Sequence, residues 1–364
     1  MRRKPTIIVQ ISLVLVSIPL ISSLPAQNAR IVDPSVETVH IGVLGLFHPR
    51  QLTVNAASDS ALVLRAGNEC IALERGTGVD SVRIRLDPQG ILLLAGAHTT
   101  RASSITASGR QGEAVDFGLS VPEKITRRYR GTLEIKPIAG DLTAIVTIDL
   151  ETAVASVVAA ESLPDAPLEA LKAQAVAARS YFVAGRGRHH DFDFCDTTHC
   201  QFLRAPPPSG SAVARAVAAT RGLVLAYDSH PFAAMYTRSC SGRTRTPAEL
   251  GMTPSAYPYY SVECRYCRAH PVHWSSRISA KDAAALRDFD ESARLSIDRR
   301  LGWDTVQSNE FVANTEGDQV VLQGTGLGHG IGLCQFGAKA MAEEGASFRQ
   351  ILSHYYPNTT VLTR

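Results

Sequence analysis

Residues 161–201 read ESLPDAPLEALKAQAVAARSYFVAGRGRHHDFDFCDTTHCQ, and they carry the strongest structural signals of the chain. Glu161 follows an alanine-rich segment. Apolar residues then recur at spacings of three and four, which predicts a helix over 168–184 with Asp165 as its N-cap. One face of this helix should carry Leu168, Leu171, Ala175, Ala178 and Phe182. A compact group of cysteines and histidines comes next, at 195–200. This order indicates an enzyme with one acid/base residue that is held in position by a metal-binding loop.

The chain before this stretch is predicted to be rich in β-structure. Residues 81–86 and 91–95 alternate or run apolar as strands do, and the intervening Asp87-Pro88-Gln89-Gly90 suits a β-turn, so they should form a hairpin. Further strands are expected at 39–46, 129–135, 144–148, 223–227 and 232–236, and the last two should form a hairpin around residues 228–231. Helices are expected at 150–160, 212–219, 280–287 and 338–344. The predicted fold class is α+β, with a β-rich N-terminal portion followed by a mixed helical and β catalytic core.

The N-terminus has the composition of a targeting segment. Arg2, Arg3 and Lys4 precede a mostly apolar run from Thr6 to Ser23. The run is close to the length that spans a bilayer, so a cleaved signal peptide and a retained anchor both stay open. We expect an exported protein that is periplasmic, attached to the cell wall or anchored facing outward. The expected divisions are a leader at 1–29, a β-rich region at 30–130 and a catalytic domain at 131–364.

The composition and net charge limit the classes of binding partner that we expect. The 364 residues include 37 Lys and Arg against 34 Asp and Glu, a formal net charge of +3. This balance gives no reason to expect a nucleic acid partner. Hydrophobic residues make up 45% and charged residues 20%, which is normal for a globular protein and argues against disorder.

Glu161 is the first candidate for chemistry. A carboxylate in the last turn of a helix feels the negative end of the helix dipole, and burial would add to that effect. Both raise its pKa, as a general acid at neutral pH requires. Taken alone, however, a glutamate at a helix end is most often a solvated surface residue.

The cysteines are the second candidate. There are seven, so they cannot all pair within the chain, and Cys70 is expected to be a small buried hydrophobe. Cys195 and Cys200, with nearby histidines, suit a structural zinc site, but a disulfide between them is a close alternative. The Cys264-x2-Cys267 pair suits half of a zinc site and could complete a four-thiolate cage with Cys195 and Cys200.

A glycine-rich loop is the third candidate. Residues 324–337 read GTGLGHGIGLCQFG, with glycine at every second position as far as Gly332. The loop fits neither dinucleotide-binding nor P-loop spacing. His329 could touch a substrate, but a loop packed closely on a neighbouring strand explains the glycines equally well. Upstream, YTRSCSG (236–242) places hydroxyl groups after a strand, where binding of a sugar is easier to support than a covalent nucleophile.

Several blocks taken together resemble the stage II sporulation protein D family, which includes amidase-enhancer proteins. The blocks are Glu161, EALKAQAVAARSY (169–181), DTTHCQ (196–201), SCSG (239–242), GLGHGIGLCQFGA (326–338) and HYYP (354–357). They follow the family's order and cover about 130–360. The family's Cys-Gly-Gly is here Cys240-Ser241-Gly242, and Cys264 and Cys267 do not belong to every member's pattern.

The resemblance implies a peptidoglycan lytic transglycosylase that prefers glycan strands without stem peptides. Glu161 falls on the family's catalytic acid/base. Matching groove positions, with His329, are expected to bind substrate; they are Gln201, Thr220, Tyr236 and Ser239. Some members bind zinc in the region equivalent to 195–200 with an upstream histidine, which here is His189 or His190. The expected zinc ligands are His190, Cys195, His199 and Cys200.

Two rival functions remain open at this point. The first is a cell-wall binding module without catalysis that stimulates an amidase. The second is a zinc hydrolase, although the chain contains no H-E-x-x-H motif. Expected partners are therefore peptidoglycan glycan strands and a cell-wall amidase.

Overall fold

The structure is a computed structural model that describes residues 37–364 apart from 58–60, 75, 77–78, 254 and 287–290. The predicted leader at 1–29 lies outside the described residues. All described residues belong to one unit, Pro34–Arg364. Within these ranges, no helix is both long enough and apolar enough to cross a membrane.

Strands dominate the first half of the described chain and helices appear from residue 150 onwards. The strands are β1 Thr38–Val43, β2 Gln51–Ala56, β3 Leu62–Ala66, β4 Glu69–Leu73, β5 Ser81–Asp87, β6 Gly90–Ala95, β7 His98–Ala102, β8 Ile105–Ser108, β9 Val115–Val121, β10 Ile125–Ile138, β11 Asp141–Asp149, β12 Phe194–Cys195, β13 Leu223–Tyr227, β14 His230–Pro231, β15 Tyr236–Thr237, β16 His273–Ser279, β17 Phe311–Glu316, β18 Gln319–Thr325, β19 Leu333–Cys334 and β20 Thr360–Thr363. The helices are α1 Leu150–Glu161, α2 Leu168–Ala184, α3 Ala212–Ala219, α4 Arg265–Ala269, α5 Ala280–Ala283, α6 Glu291–Leu301, α7 Gln335–Glu343 and α8 Phe348–Tyr355. This arrangement confirms the predicted α+β class.

A twelve-stranded sheet forms the N-terminal portion, with β12-β1-β11-β10-β9-β2-β5-β6-β7 as its main path and β3, β4 and β8 as a branch. Strand β10 joins both parts, because its first half pairs with β9 and its second half with β8 and β11. The change falls at Gly131, where an added Cβ would collide with the Thr147 carbonyl oxygen. The predicted boundary at 130/131 thus falls within a continuous strand.

Local signals predicted several elements correctly. Strands β5 and β6 form the expected hairpin, with Asp87 opposite Gly90. Helix α1 is capped by the Asp149 side chain, which accepts a hydrogen bond from the Thr152 amide. The hairpin expected at 223–236 is shorter than predicted, since β14 ends at Pro231 and Tyr236 joins β15 in another sheet.

Two local predictions were wrong. Asp165 does not cap α2, whose N-cap is Pro167; the Asp165 carboxylate forms an ion pair with Lys339 instead. Cys70 is exposed rather than buried, because it lies on β4, which pairs only with β3 among the described strands.

Helix α2 lies between two hydrophobic cores, and this explains its alanine content. Leu171, Ala175, Ala178 and Phe182 pack with the large sheet and α1, as the predicted apolar face requires. The opposite face contributes to a second core with the C-terminal elements, through Ala170, Ala173, Val176 and Ala177. Small side chains on both faces let neighbouring elements approach closely. Leu168, expected on the first face, is 40% exposed.

Candidate active site

Glu161 is the last residue of α1, and three parts of the chain converge on it. One carboxylate oxygen accepts a hydrogen bond from the Phe202 amide at 2.6 Å, and the other accepts one from the Tyr236 hydroxyl. The Glu161 main-chain carbonyl accepts a hydrogen bond from the Gln335 side chain at 2.9 Å. The acid is therefore fixed against the strand and the glycine-rich loop rather than extended into water.

The surroundings of Glu161 give it the electrostatics of a general acid. Burial raises the pKa of Glu161 to about 7, although the hydrogen bonds from Tyr236 and Phe202 act in the opposite direction. Burial also raises the pKa of Tyr236 well above its usual value, so its hydroxyl stays protonated and remains a donor. At neutral pH the carboxyl group is divided between its two protonation states, which suits proton transfer in either direction.

Gln201 belongs to the same constellation. Its side-chain amide donates to the Ala178 carbonyl of α2 at 3.2 Å, and its oxygen lies 3.5 Å from the Tyr236 hydroxyl. Gln201 is 4% exposed. The structure thus brings together Glu161, Gln201 and Tyr236, three residues that the sequence analysis placed in the site.

The glycine-rich loop packs directly on the strand that carries Tyr236. Strands β15 and β19 pair in parallel, with Tyr236 beside Leu333. At Gly332, where φ is +71°, an added Cβ would collide with the Met235 carbonyl oxygen. Close packing on a neighbouring strand therefore accounts for this glycine, and the packing sets the position of Tyr236 against Glu161.

His329 contacts the main chain of Tyr236. Its Nδ1 accepts a hydrogen bond from the Ile331 amide at 3.0 Å, so the ring proton is on Nε2 in the neutral form. The ring also hydrogen-bonds to the Tyr236 main chain, and burial lowers the pKa of His329. Glu291 and Arg294 of α6 are close enough to act on its charge.

Thr220 and Ser239 use their hydroxyls within the fold. The Thr220 hydroxyl donates to the Ala216 carbonyl at 2.9 Å, at the end of α3. The Ser239 hydroxyl lies 3.6 Å from the sulfur of Cys267. Both residues are almost fully buried, and their assignment to substrate binding stays a prediction.

A candidate metal centre lies in the loop just before Gln201. Ligand atoms of His189, Cys195, His199 and Cys200 all lie within 4.8 Å of one another. The Cys200 sulfur is 3.3 Å from Nε2 of His189 and 3.6 Å from Nδ1 of His199. Both cysteines are free thiols. Two imidazole nitrogens and two sulfurs form a donor set that fits tetrahedral zinc.

The structure brings His189, not His190, to this cluster. The His190 side chain is 98% exposed and faces Asp191. His189 is held inward because its ring packs against Phe192, with ring centres 4.6 Å apart. A ring contact of this kind leaves no signal in the spacing of the two histidines, so the sequence could not separate them.

The β-rich portion holds this loop in place. Cys195 in β12 pairs with Gly42 of β1, and the neighbouring Asp196 is buried. Asp196 accepts hydrogen bonds from Arg127 at 2.7 Å and from Tyr129 at 3.2 Å. Arg127 therefore links β10 to the loop that carries the candidate metal centre.

A cavity of about 630 Å³ lies elsewhere, against the small sheet of β16, β17 and β18. Its lining residues include Trp274, Phe311 and Gly324 but not Glu161. The Glu161 site and this cavity are therefore separate features of the molecule.

Comparison with known proteins shows which family this chain resembles. Residues 139–227, which include Glu161 and the zinc-type loop, match the model of the family described as Stage II sporulation protein. This match and the relatives below support the similarity of the chain to stage II sporulation protein D and the amidase enhancer. The resemblance seen in the sequence is thereby confirmed.

Three relatives illustrate the range of similarity. Stage II sporulation protein D of Bacillus amyloliquefaciens is 29% identical over 265 residues, covering 60% of this chain and 75% of that protein. An uncharacterised protein of Brachyspira hyodysenteriae is 27% identical over 267 residues, covering 64% and 72%. The amidase enhancer of Bacillus subtilis strain 168 is 41% identical over 61 residues, covering 17% and 9%.

Proposed function

We propose that this protein is a peptidoglycan lytic transglycosylase in which Glu161 is the single acid/base residue. The observation that carries the proposal is the Glu161 carboxyl group itself, with a pKa of about 7 and hydrogen bonds from Phe202 and Tyr236. Both partners of the carboxyl group, a main-chain amide and a hydroxyl, are donors, and neither is a second carboxylate. An ordinary glycosidase needs a carboxylate pair, whereas a lytic transglycosylase can work with one.

The proposed reaction uses the Glu161 proton twice. Protonated Glu161 donates to the glycosidic oxygen between N-acetylmuramic acid and N-acetylglucosamine, and the bond from that oxygen to the anomeric carbon breaks. The 6-hydroxyl oxygen of the same muramic acid then bonds to the anomeric carbon. Its proton passes to Glu161, which restores the acid. The product carries a 1,6-anhydro ring, and no water is consumed.

Neighbouring residues tune this cycle. Tyr236 stabilises the carboxylate form after the first proton transfer, and the Phe202 amide holds the other oxygen. Gln201 places a polar side chain beside the Tyr236 hydroxyl, where a sugar hydroxyl could bind. His329, neutral and hydrogen-bonded to the Tyr236 main chain, helps to hold the strand that carries Tyr236.

A structural zinc ion suits the loop that precedes these residues. His189, Cys195, His199 and Cys200 would hold it, and the ion would close the loop that delivers Gln201 and Phe202 to Glu161. Four protein ligands leave no open position for water, so the proposed role is structural. The reaction itself is carried by the chain's own acid.

The relatives' names support a role in the cell wall. One group is named for sporulation stage II and another for enhancing an amidase. We propose accordingly that the protein is exported and acts on glycan strands, with strands that lack stem peptides as the preferred substrate. A cell-wall amidase is the proposed protein partner.

Mass spectrometry of digested glycan tests the proposal. The purified full-length chain is incubated with glycan strands from which an amidase has removed the stem peptides. We expect shortened strands that end in 1,6-anhydro-muramic acid. Strands of unchanged length, or reducing ends that have gained water, would contradict the proposal.

Stimulation of an amidase is the second candidate, favoured by the 41% identity to the amidase enhancer. It predicts that the chain leaves denuded glycan intact while it increases the release of stem peptides by an added amidase. The same incubation, with intact peptidoglycan and amidase in a parallel sample, separates the two functions.

A further inference from the structure

A second cysteine cluster, formed by Cys240, Cys264, Cys267 and Cys334, lies in the core of the C-terminal half. Their sulfur atoms all lie within 4.8 Å of one another, and the distance between those of Cys267 and Cys334 is 3.5 Å. Each of the four is at most 3% exposed, and all are free thiols. The expected cage of Cys264 and Cys267 with Cys195 and Cys200 is therefore wrong.

Three segments that are distant in the sequence deliver the four sulfurs. Cys264 and Cys267 flank the first turn of α4, and the Arg268 amide donates to the Cys264 carbonyl at 3.1 Å. Cys334 ends β19 and is the N-cap of α7. Cys240 follows β15, and the Gly242 carbonyl after it accepts a hydrogen bond from the Cys264 amide at 2.9 Å. The cluster is thus built on short, hydrogen-bonded elements.

The spacing of the sulfurs suits a single tetrahedral metal ion. With metal–sulfur bonds of about 2.3 Å, the sulfurs of a tetrahedral zinc site lie about 3.8 Å apart. The four sulfurs here are already gathered at that scale. An iron–sulfur cluster would need room between the thiolates for its own iron and sulfide atoms, and this spacing leaves none. A disulfide would account for two neighbouring sulfurs, but not for four sulfurs that are all mutual neighbours.

Groups around the cluster orient its sulfurs. The Tyr355 hydroxyl donates to the Cys264 sulfur at 3.5 Å, and the Ser239 hydroxyl lies beside Cys267. Gly337 in α7 leaves the space for this arrangement, since an added Cβ would lie 2.5 Å from the Cys264 sulfur. Polar partners of this kind are usual around metal-bound thiolates.

We propose that these four cysteines bind one zinc ion that fixes the C-terminal half of the active site. Cys240 lies four positions after Tyr236, and Cys334 directly precedes Gln335. Tyr236 and Gln335 are the two residues that bind Glu161 from this side. The ion would therefore clamp the strand and the helix that position the acid. This inference concerns metal content and stands whether or not the chain cleaves glycan.

Metal analysis of the full-length chain tests the proposal when the two clusters are disabled separately. The protein is purified without added metal or reductant. The Cys195→Ser/Cys200→Ser variant, which keeps only the second cluster, should retain one zinc ion per chain. The Cys264→Ser/Cys267→Ser variant should contain one zinc ion fewer than the unaltered chain. Circular dichroism of both variants reports whether they fold.

Cobalt substitution gives an independent readout if the second variant does not fold. In the Cys195→Ser/Cys200→Ser variant, exchange of zinc for cobalt should produce intense thiolate-to-cobalt absorption with the visible bands of a tetrahedral four-sulfur site. Absence of zinc and of these bands would overturn the proposal. So would a mass lower by four hydrogens under non-reducing conditions, because it would show that the sulfurs form two disulfides.

Discussion

The Tyr236 hydroxyl donates a hydrogen bond to the Glu161 carboxylate across 75 positions of the sequence. Through this contact, the end of helix α1 meets the strand on which the glycine-rich loop is packed. His329 in that loop hydrogen-bonds to the main chain of the same tyrosine. Tyr236 therefore connects motifs that are separate in the sequence, and the protonation of Glu161 should depend on it.

Replacement of Tyr236 by phenylalanine should raise the pKa of Glu161. The hydroxyl stabilises the carboxylate form, so its loss favours the protonated acid by about one pKa unit. If glycan cleavage requires protonated Glu161, its rate declines as pH rises above about 7 in the unaltered protein. In Tyr236→Phe this decline should move to higher pH.

A matched control is Tyr257→Phe. Tyr257 is also a buried tyrosine, but its hydroxyl donates to the Pro357 carbonyl. The pH profile of this variant should match that of the unaltered chain. An unshifted profile in Tyr236→Phe would refute the proposed coupling, as would equal shifts in both variants.

Replacement of Glu161 by glutamine should change the pH dependence of stability. The pKa of Glu161 is raised from 4.5 to about 7 in the folded chain. A raised pKa means that the folded state holds the proton more tightly, so the stabilisation is complete below pH 4.5 and is lost as pH rises through 7. Glutamine does not titrate in this range, so the variant does not lose this stabilisation as pH rises. Relative to the unaltered chain, the variant should gain about 2 kcal/mol of unfolding free energy between pH 5 and pH 8.

Urea unfolding at the two pH values measures this difference. Glu161 is only partly buried, so solvent screening can reduce the gain in unfolding free energy below about 2 kcal/mol. Some gain between pH 5 and pH 8 is still required. A constant difference between the two proteins from pH 5 to pH 8 would show that Glu161 has an ordinary pKa.

The two adjacent histidines form a natural pair for testing the first metal loop. His189→Ala removes a ligand from the cluster with Cys195, His199 and Cys200, whereas His190→Ala changes an exposed side chain. We expect the zinc affinity of this loop to fall at least tenfold in His189→Ala and to stay unchanged in His190→Ala. Competition with a chromophoric chelator measures the zinc affinity of each variant, and zinc at the four-cysteine cluster, which is the same in both variants, cancels in the comparison. The reverse order would restore His190 as the ligand.

The link between the β-rich portion and the metal loop can be tested at Arg127. Replacement by methionine leaves the buried Asp196 carboxylate without its cation, which should cost about 3 kcal/mol of unfolding free energy. Arg127 also lies over the ring of Phe202, whose amide binds Glu161, so activity should fall as well. Arg128 is exposed on the same strand and provides the control. Equal unfolding midpoints for Arg127→Met and Arg128→Met would contradict this account.

Elements with local signals could be predicted from the sequence. Helix α2 occupies 168–184 as expected, and α3 occupies 212–219, because apolar spacing and flanking breakers act within a few residues. The second buried face of α2 could not be predicted, because alanine is common both on helix surfaces and in tightly packed cores. Asp165 failed as a cap for a similar reason, since Lys339, its partner, is 174 positions away.

The site could be predicted only at residues to which a family motif assigns a role. Glu161, Gln201 and Tyr236 are brought together as the resemblance implied, but Gln335, although part of a quoted block, was not assigned a role. The four-cysteine cluster was missed because only Cys264 and Cys267 are close in sequence. Cys240 and Cys334 join them through the pairing of β15 with β19, which spacing alone does not reveal.

The most direct test of the central claim compares two glutamate variants on the same denuded glycan strands. Glu169, like Glu161, lies at a helix end and accepts a hydrogen bond from a main-chain amide, although its second partner is the Lys172 cation; Glu169→Gln is therefore a comparable change outside the site. The account predicts that mass spectrometry finds 1,6-anhydro-muramoyl ends with Glu169→Gln and none with Glu161→Gln. Undiminished formation of these ends by folded Glu161→Gln would show that another group supplies the proton.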